Sequence, residues 1–173
     1  MPREWETFFF MVGSSATGLI GLLFVVITLT AERNTERAEA GSRTFVTPTV
    51  VHFCAVLLVS AVAVMPGLST QAAGLALGIP ALVGFLYVGM IVSRLVRGIP
   101  SVTHWTDYIF YGLFPAAVYL ALIASAADLL SGGALGPYGI AVGALALLLV
   151  GIRDAWDLAT YLAYHRGDPD KVP

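Results

Sequence analysis

Three ionisable residues, Arg153, Asp154 and Asp157, arrive before the apolar pattern has ended in the run Gly139-Ile-Ala-Val-Gly-Ala-Leu-Ala-Leu-Leu-Leu-Val-Gly-Ile-Arg-Asp-Ala-Trp-Asp157. A charge at the middle of a membrane helix costs about 2.5–3.5 kcal/mol on insertion scales, so each needs a partner, water or a task. Arginine can reach the interface with its long stem, whereas aspartate is too short to do so. Arg153 and Asp157 stand four apart and can pair on one helix face. Four more residues fall at similar depth when the apolar segments are laid side by side: His52, Arg94, Asp107 and Tyr111. Two chemistries are open to this group. One is a structural ion-pair network in which Asp154 meets Arg94 or His52 on a neighbouring helix. The other is the inner mouth of an aqueous pathway, since intramembrane ionisable residues commonly mark ion or proton routes and an imidazole can relay protons near neutral pH. A network lining a vestibule satisfies both.

Other chemistry finds little footing. No CxxC, HxxxH or HxxE spacing occurs, so no metal site of the usual kind is expected. Haem would need a second axial ligand beside His52, and His104 and His165 lie at or beyond the interface, so no cofactor is expected. Ser14, Ser15 and Ser60 stand away from every candidate base and no GxSxG occurs, so the chain is not expected to be an enzyme. The outer-side acids Glu4, Glu6 and Asp128 read as solvated. The single cysteine, Cys54, has no internal disulfide partner and reads as a small buried hydrophobe.

The elements that must position these residues follow from composition. Of 173 residues 58% are hydrophobic and 12% charged, against about 25% charged in a soluble domain. Five apolar runs, at about 7–30, 46–66, 71–93, 108–130 and 138–158, each hold about 20 residues or more, enough to span about 30 Å of hydrocarbon. Residues 1–173 therefore read as a single all-α domain, a polytopic transmembrane helical bundle of five spans. A polar connector covers residues 31–44, and residues 166–173 form a short tail. The first run is not expected to be a cleaved signal, because its flank Pro2-Arg3-Glu4-Trp5-Glu6 is not basic and its core is too long. Arg33, Arg37, Arg43, Arg94, Arg97, Arg166 and Lys171 all fall on one side, and the opposite connectors carry no Lys or Arg. The positive-inside rule then sets the amino terminus outside and the carboxyl terminus in the cytoplasm. A net charge of −2 without a basic block offers nothing to nucleic acid.

Small residues let helices approach closely in lipid. Gly13, Thr17 and Gly21 form such a stripe on the first span, and Gly139 and Gly143 on the last, so these are expected helix-packing positions. Wound at about 100° per residue, Gly139, Gly143, Ala146, Val150, Asp154 and Asp157 share a face, while Leu145, Leu148, Leu149, Ile152 and Trp156 take the other. The acids thus sit on the protein-facing side and the bulky residues face lipid. Pro48 suits the first turn of the second span, and Pro80 and Pro115 suggest kinks in the third and fourth.

Three phrases, Phe9-Phe-Met-Val-Gly-Ser-Ser-Ala-Thr-Gly-Leu-Ile-Gly-Leu-Leu-Phe-Val25, Thr47-Pro-Thr-Val-Val-His-Phe53 and Gly151-Ile-Arg-Asp-Ala-Trp-Asp157, together resemble uncharacterised small bacterial multi-spanning integral membrane proteins. That resemblance spans most of the chain and carries no activity, substrate or site residue with it. The chain is accordingly expected in a bacterial cytoplasmic (inner) membrane, in contact with the lipid bilayer. Five short spans leave little room for a central pore, so the expected function is a small homo-oligomeric channel or permease-like conduit for an ion or small solute, with its pore on the subunit symmetry axis. The rival expectation is a non-conducting accessory or regulatory subunit of a larger complex, with another membrane protein as partner.

Overall fold

The computed structural model describes residues 5–31, 36–98 and 109–164. They form five helices: α1 (Glu6–Ala31), α2 (Glu36–Ala63), α3 (Thr70–Gly98), α4 (Ile109–Leu130) and α5 (Gly136–Tyr164). Four of them, α1, α3, α4 and α5, are long and apolar enough to cross a membrane. The fifth expected span falls on α2, whose apolar part in the described residues is the shorter stretch Pro48–Ala63. The reason is visible in the sequence. Residues assigned to a solvated connector, from Glu36 onward, join the same 28-residue helix, so Pro48 lies inside it rather than at its first turn. An interior proline survives in a membrane helix because neighbouring helices satisfy the freed backbone carbonyl.

Local chemistry sets the helix ends. Ser69 Oγ accepts the Ala72 N–H at 3.1 Å and caps the start of α3, after a turn in which Gly67 takes a φ of 73°. At the end of α4, Gly132 takes a φ of 76°, and the Gly132 and Gly133 N–H groups return to the carbonyls of Leu129 and Asp128. This pair of bonds needs a left-handed residue, which glycine supplies without strain. Asp128 is not a solvated outer acid, as its sequence position suggested. Its Oδ2 accepts the Gly136 N–H at 2.6 Å, so it caps the first turn of α5 from across the turn. At the same end, Trp5 meets Tyr138 edge-on, with ring centroids 5.1 Å apart, and ties the start of α1 to the start of α5.

The bundle is organised around α5. Half of its apolar segment is buried, 50% against 22% for α1 and for α3. It packs on α1, α2 and α4, while α3 leans chiefly on α4. Glycines set how closely these helices approach. The Phe53 ring of α2 occupies the space over Gly151, Leu122 of α4 lies over Gly143, and the Tyr119 ring of α4 lies over Gly84 of α3. A Cβ at any of the three would collide with the facing side chain. The exposed stripe of α5 is Val142, Leu145, Leu149, Ile152 and Trp156; of the bulky face drawn from the sequence, only Leu148 is buried.

Replacing Asp128 by alanine is expected to lower stability by about 1 kcal/mol, the typical worth of a lost cap. Asn at the same place keeps most of it. Thermal unfolding of the detergent-solubilised protein measures both, and an unchanged midpoint in Asp128→Ala rejects the cap.

Candidate functional site

The last helix presents Arg153, Asp154 and Asp157 within about one turn. Asp154 is buried, with 1% of its surface exposed. Neither of its carboxylate oxygens has a hydrogen-bond partner among the described residues, and neither does Nη1 of Arg153. Arg153 Nη1 lies 3.8 Å from Asp154 Oδ1, close enough for attraction and too far for a hydrogen bond. The same guanidinium serves other groups better. Its Nη2 lies 3.3 Å from Asp157 Oδ2, and its central carbon stands 3.8 Å from the centroid of the Phe110 ring. The Tyr111 hydroxyl donates to Asp157 Oδ2 at 3.3 Å. The side chains of Arg153 and Asp157 are 34% and 38% exposed, so they form a half-open rim with Asp154 enclosed behind it.

The turn that delivers Phe110 and Tyr111 is π-helical, over Ile109–Leu113, and the α-helix proper begins at Phe114. Pro115 explains the change. It has no N–H for the carbonyl four residues back, that of Tyr111, and its ring crowds that carbonyl, so the preceding turn widens. The kink expected at Pro115 is therefore realised as a widened turn just before it. That widening carries Phe110 and Tyr111 toward α5, where one stacks on Arg153 and the other bonds Asp157.

His52 goes elsewhere. It is 1% exposed, and its Nδ1 pairs with the Tyr119 hydroxyl of α4 at 3.1 Å. The single constellation drawn from the sequence is thus two groups: the Arg153–Asp154–Asp157–Tyr111 cluster and the His52–Tyr119 pair. They are not remote. Phe53, next to His52, covers Gly151, and Asp154 lies three residues beyond Gly151, about 4.5 Å along the helix axis. The buried polar side chains of the described core are Thr49, His52, Ser60 and Asp154, and the first three all belong to α2. The Arg94 side chain and Asp107 lie outside the described residues.

Among the helix-packing positions, Gly13 faces Ser60 of α2, Gly139 faces Ser125 and Gly143 faces Leu122 of α4. The Thr17 hydroxyl bonds the Gly13 carbonyl of its own helix, and Gly21 opens to space with no neighbour within 4 Å. Cys54 is exposed on the surface of α2, not buried. Tyr119 and Phe110 were missed from sequence. For Tyr119 a signal existed, because a phenol inside an apolar span needs a hydrogen-bond partner. For Phe110 there was none, since nothing local distinguishes it from a lipid-facing ring.

Two open clefts, of about 680 and 760 Å³, lie at the opposite end of the bundle, beside the α2–α3 turn, the first of them lined in part by Glu6. Among the described residues no group of three or more His, Cys, Asp or Glu could hold a metal ion. Comparison with protein-family models, curated proteins and solved structures finds no match to the chain.

The geometry separates a structural acid from one placed for another purpose. Breaking a buried pair by removing one partner costs about 3–5 kcal/mol, because a buried charge is left uncompensated; here removal of Asp154 leaves Arg153 with Asp157, and an acceptor that makes no hydrogen bond has none to lose. With both oxygens unbonded, Asp154→Leu is expected to hold or raise the unfolding midpoint, and Asp154→Asn to leave it unchanged. A loss of several kcal/mol in both variants would make Asp154 a structural partner of Arg153.

Proposed function

We propose that the chain is a five-span protein of a bacterial cytoplasmic membrane and a small homo-oligomeric conduit for an ion or small solute. The amino terminus is outside and the carboxyl terminus cytoplasmic, a reading supported by the bias of Lys and Arg to one side, Arg3 excepted. The second span, at about 46–66, extends Pro48–Ala63 through its flanking Val46-Thr47 and Val64-Met-Pro66. The cytoplasmic mouth comprises Arg153, Asp154, Asp157 and Tyr111; the sequence puts Arg94 and Asp107 at similar depth, while His52, bonded to Tyr119, forms a separate pair. The observation that carries this reading is the enclosed, unbonded Asp154 behind its half-exposed rim. A carboxylate in that position is costly to the fold, and such residues within membranes are retained for what they bind or pass. The reading assigns no catalysis and no cofactor.

The exposed small face of α1, with Ser14, Thr17, Gly18 and Gly21, favours assembly through that helix. The same face supports the second reading, an accessory subunit docked on another membrane protein, so the two are separated by experiment. Purified protein in mild detergent is expected to run as an oligomer, and liposomes containing it to pass ions. Asp154→Asn is expected to lower that flux by about tenfold or more, the effect of removing one transition-state interaction worth about 1.4 kcal/mol. Unchanged flux in both Asp154→Asn and His52→Ala removes the cluster from the pathway. A monomer without flux that co-purifies with another membrane protein establishes the accessory role.

A further inference from the structure

We infer that Asp154 is a proton-binding site, loaded from water through the Arg153–Asp157 rim. The balance of charge in the cluster points there. Two carboxylates and one guanidinium leave one negative charge when all are ionised. Arg153 directs Nη2 to Asp157 and its face to Phe110, and the Tyr111 hydroxyl also bonds Asp157. Asp157 is therefore the satisfied acid, and the uncompensated charge falls on Asp154, which is fully enclosed and accepts no hydrogen bond among the described residues. An isolated buried carboxylate is far more costly than a neutral buried carboxyl group. Taking one proton from hydronium gives Asp154–COOH and water and brings the cluster to neutrality.

A metal cation fits the same place poorly. It would need several oxygen ligands, and the described residues hold no group of three acidic or metal-binding side chains. It would also sit beside the Arg153 guanidinium, whose Nη1 is 3.8 Å from Asp154 Oδ1. A proton needs neither a coordination shell nor room. Among the described residues, few other groups bear on Asp154. On α5 they are Arg153 and Asp157, on α4 Tyr111, and on α2 His52, which is turned to Tyr119. Helix α1 carries no titratable side chain between Thr7 and Ala31. On α3 the nearest charge in sequence is Arg94, whose side chain lies outside the described residues.

This deepens the conduit reading, on which it rests for one consequence only: the cargo becomes the proton. The test is the infrared carbonyl band of a protonated, non-hydrogen-bonded carboxyl in reconstituted protein, recorded as pH is raised. The band is expected at neutral pH, to shift on ¹³C labelling of the aspartate carboxyls, to vanish at high pH, to be lost in Asp154→Asn and to persist in Asp157→Asn. Isotope labelling restricts the band to aspartates, and its persistence in Asp107→Asn, Asp128→Asn and Asp157→Asn narrows it to Asp154 within the helices if Asp154→Asn does not fold. A missing band, a band retained in folded Asp154→Asn, or one abolished by sodium chloride at constant pH overturns the site. Proton flux is read separately, with a pH dye inside the same liposomes. A titrating Asp154 band without flux of any ion leaves the site standing and removes the conduit. Flux carried by sodium or potassium with no Asp154 band keeps the conduit and removes the site.

Discussion

A carboxyl group shut away from solvent with both oxygens unbonded imposes more on this bundle than any other single feature. Leaving a buried acceptor unsatisfied costs about 1–3 kcal/mol, and more when the group is charged. The chain places that group on α5, the most buried of the four helices long and apolar enough to cross a membrane, one turn past the glycine that admits Phe53 of α2. Small residues permit close approach of helices, and Gly151 admits the Phe53 ring between α2 and α5 one turn before the buried acid. Close packing continues along α5, through Gly143 and Leu122 to the turn capped by Asp128.

The division of labour within the cluster follows from reach. Arg153 is long enough to lie at the rim, where it is attracted by both acids but hydrogen-bonded to neither at ideal length. Phe110 fixes its plane, and a guanidinium over an aromatic face gains about 0.5–1 kcal/mol when exposed and more when dry. Tyr111 then adds a donor to Asp157. Both aromatic residues come from the widened turn before Pro115, so a proline that seemed to concern only the shape of α4 also decides which side chains meet the acids.

Much of this was legible in the chain itself. Apolar runs marked the helices, and a 100° winding put Asp154 and Asp157 on the packed side of α5, with Leu145, Leu149, Ile152 and Trp156 outside. What the winding could not give was partner choice. It places residues on faces of their own helix and says nothing of which neighbour they meet. Hence His52 was drawn toward Asp154, while the structure gives it Tyr119. The start of α2 was misread for a related reason. A polar segment such as Glu36-Arg-Ala-Glu-Ala-Gly-Ser-Arg43 is compatible with loop or helix, and its continuity with the apolar stretch, through Pro48, is a property of the whole helix. Asp128 was taken as solvated because its partner, the Gly136 N–H, becomes a neighbour only when Gly132 and Gly133 turn the chain back.

The location of the buried polar groups bears on where a pathway would run. Thr49, His52 and Ser60 on α2 and Asp154 on α5 lie inside one copy of the chain, away from the open small face of α1. An axial pore formed between copies would be lined by α1, whose described residues between Thr7 and Leu29 are uncharged. Aromatic rings fill the helix contacts near these groups, Phe53 over Gly151 between α2 and α5 and Tyr119 over Gly84 between α4 and α3. A route through such packing would suit a proton, which moves between fixed groups and needs no open bore. Each copy would then carry its own route, and association through α1 would serve to hold the copies together in the membrane rather than to form the path.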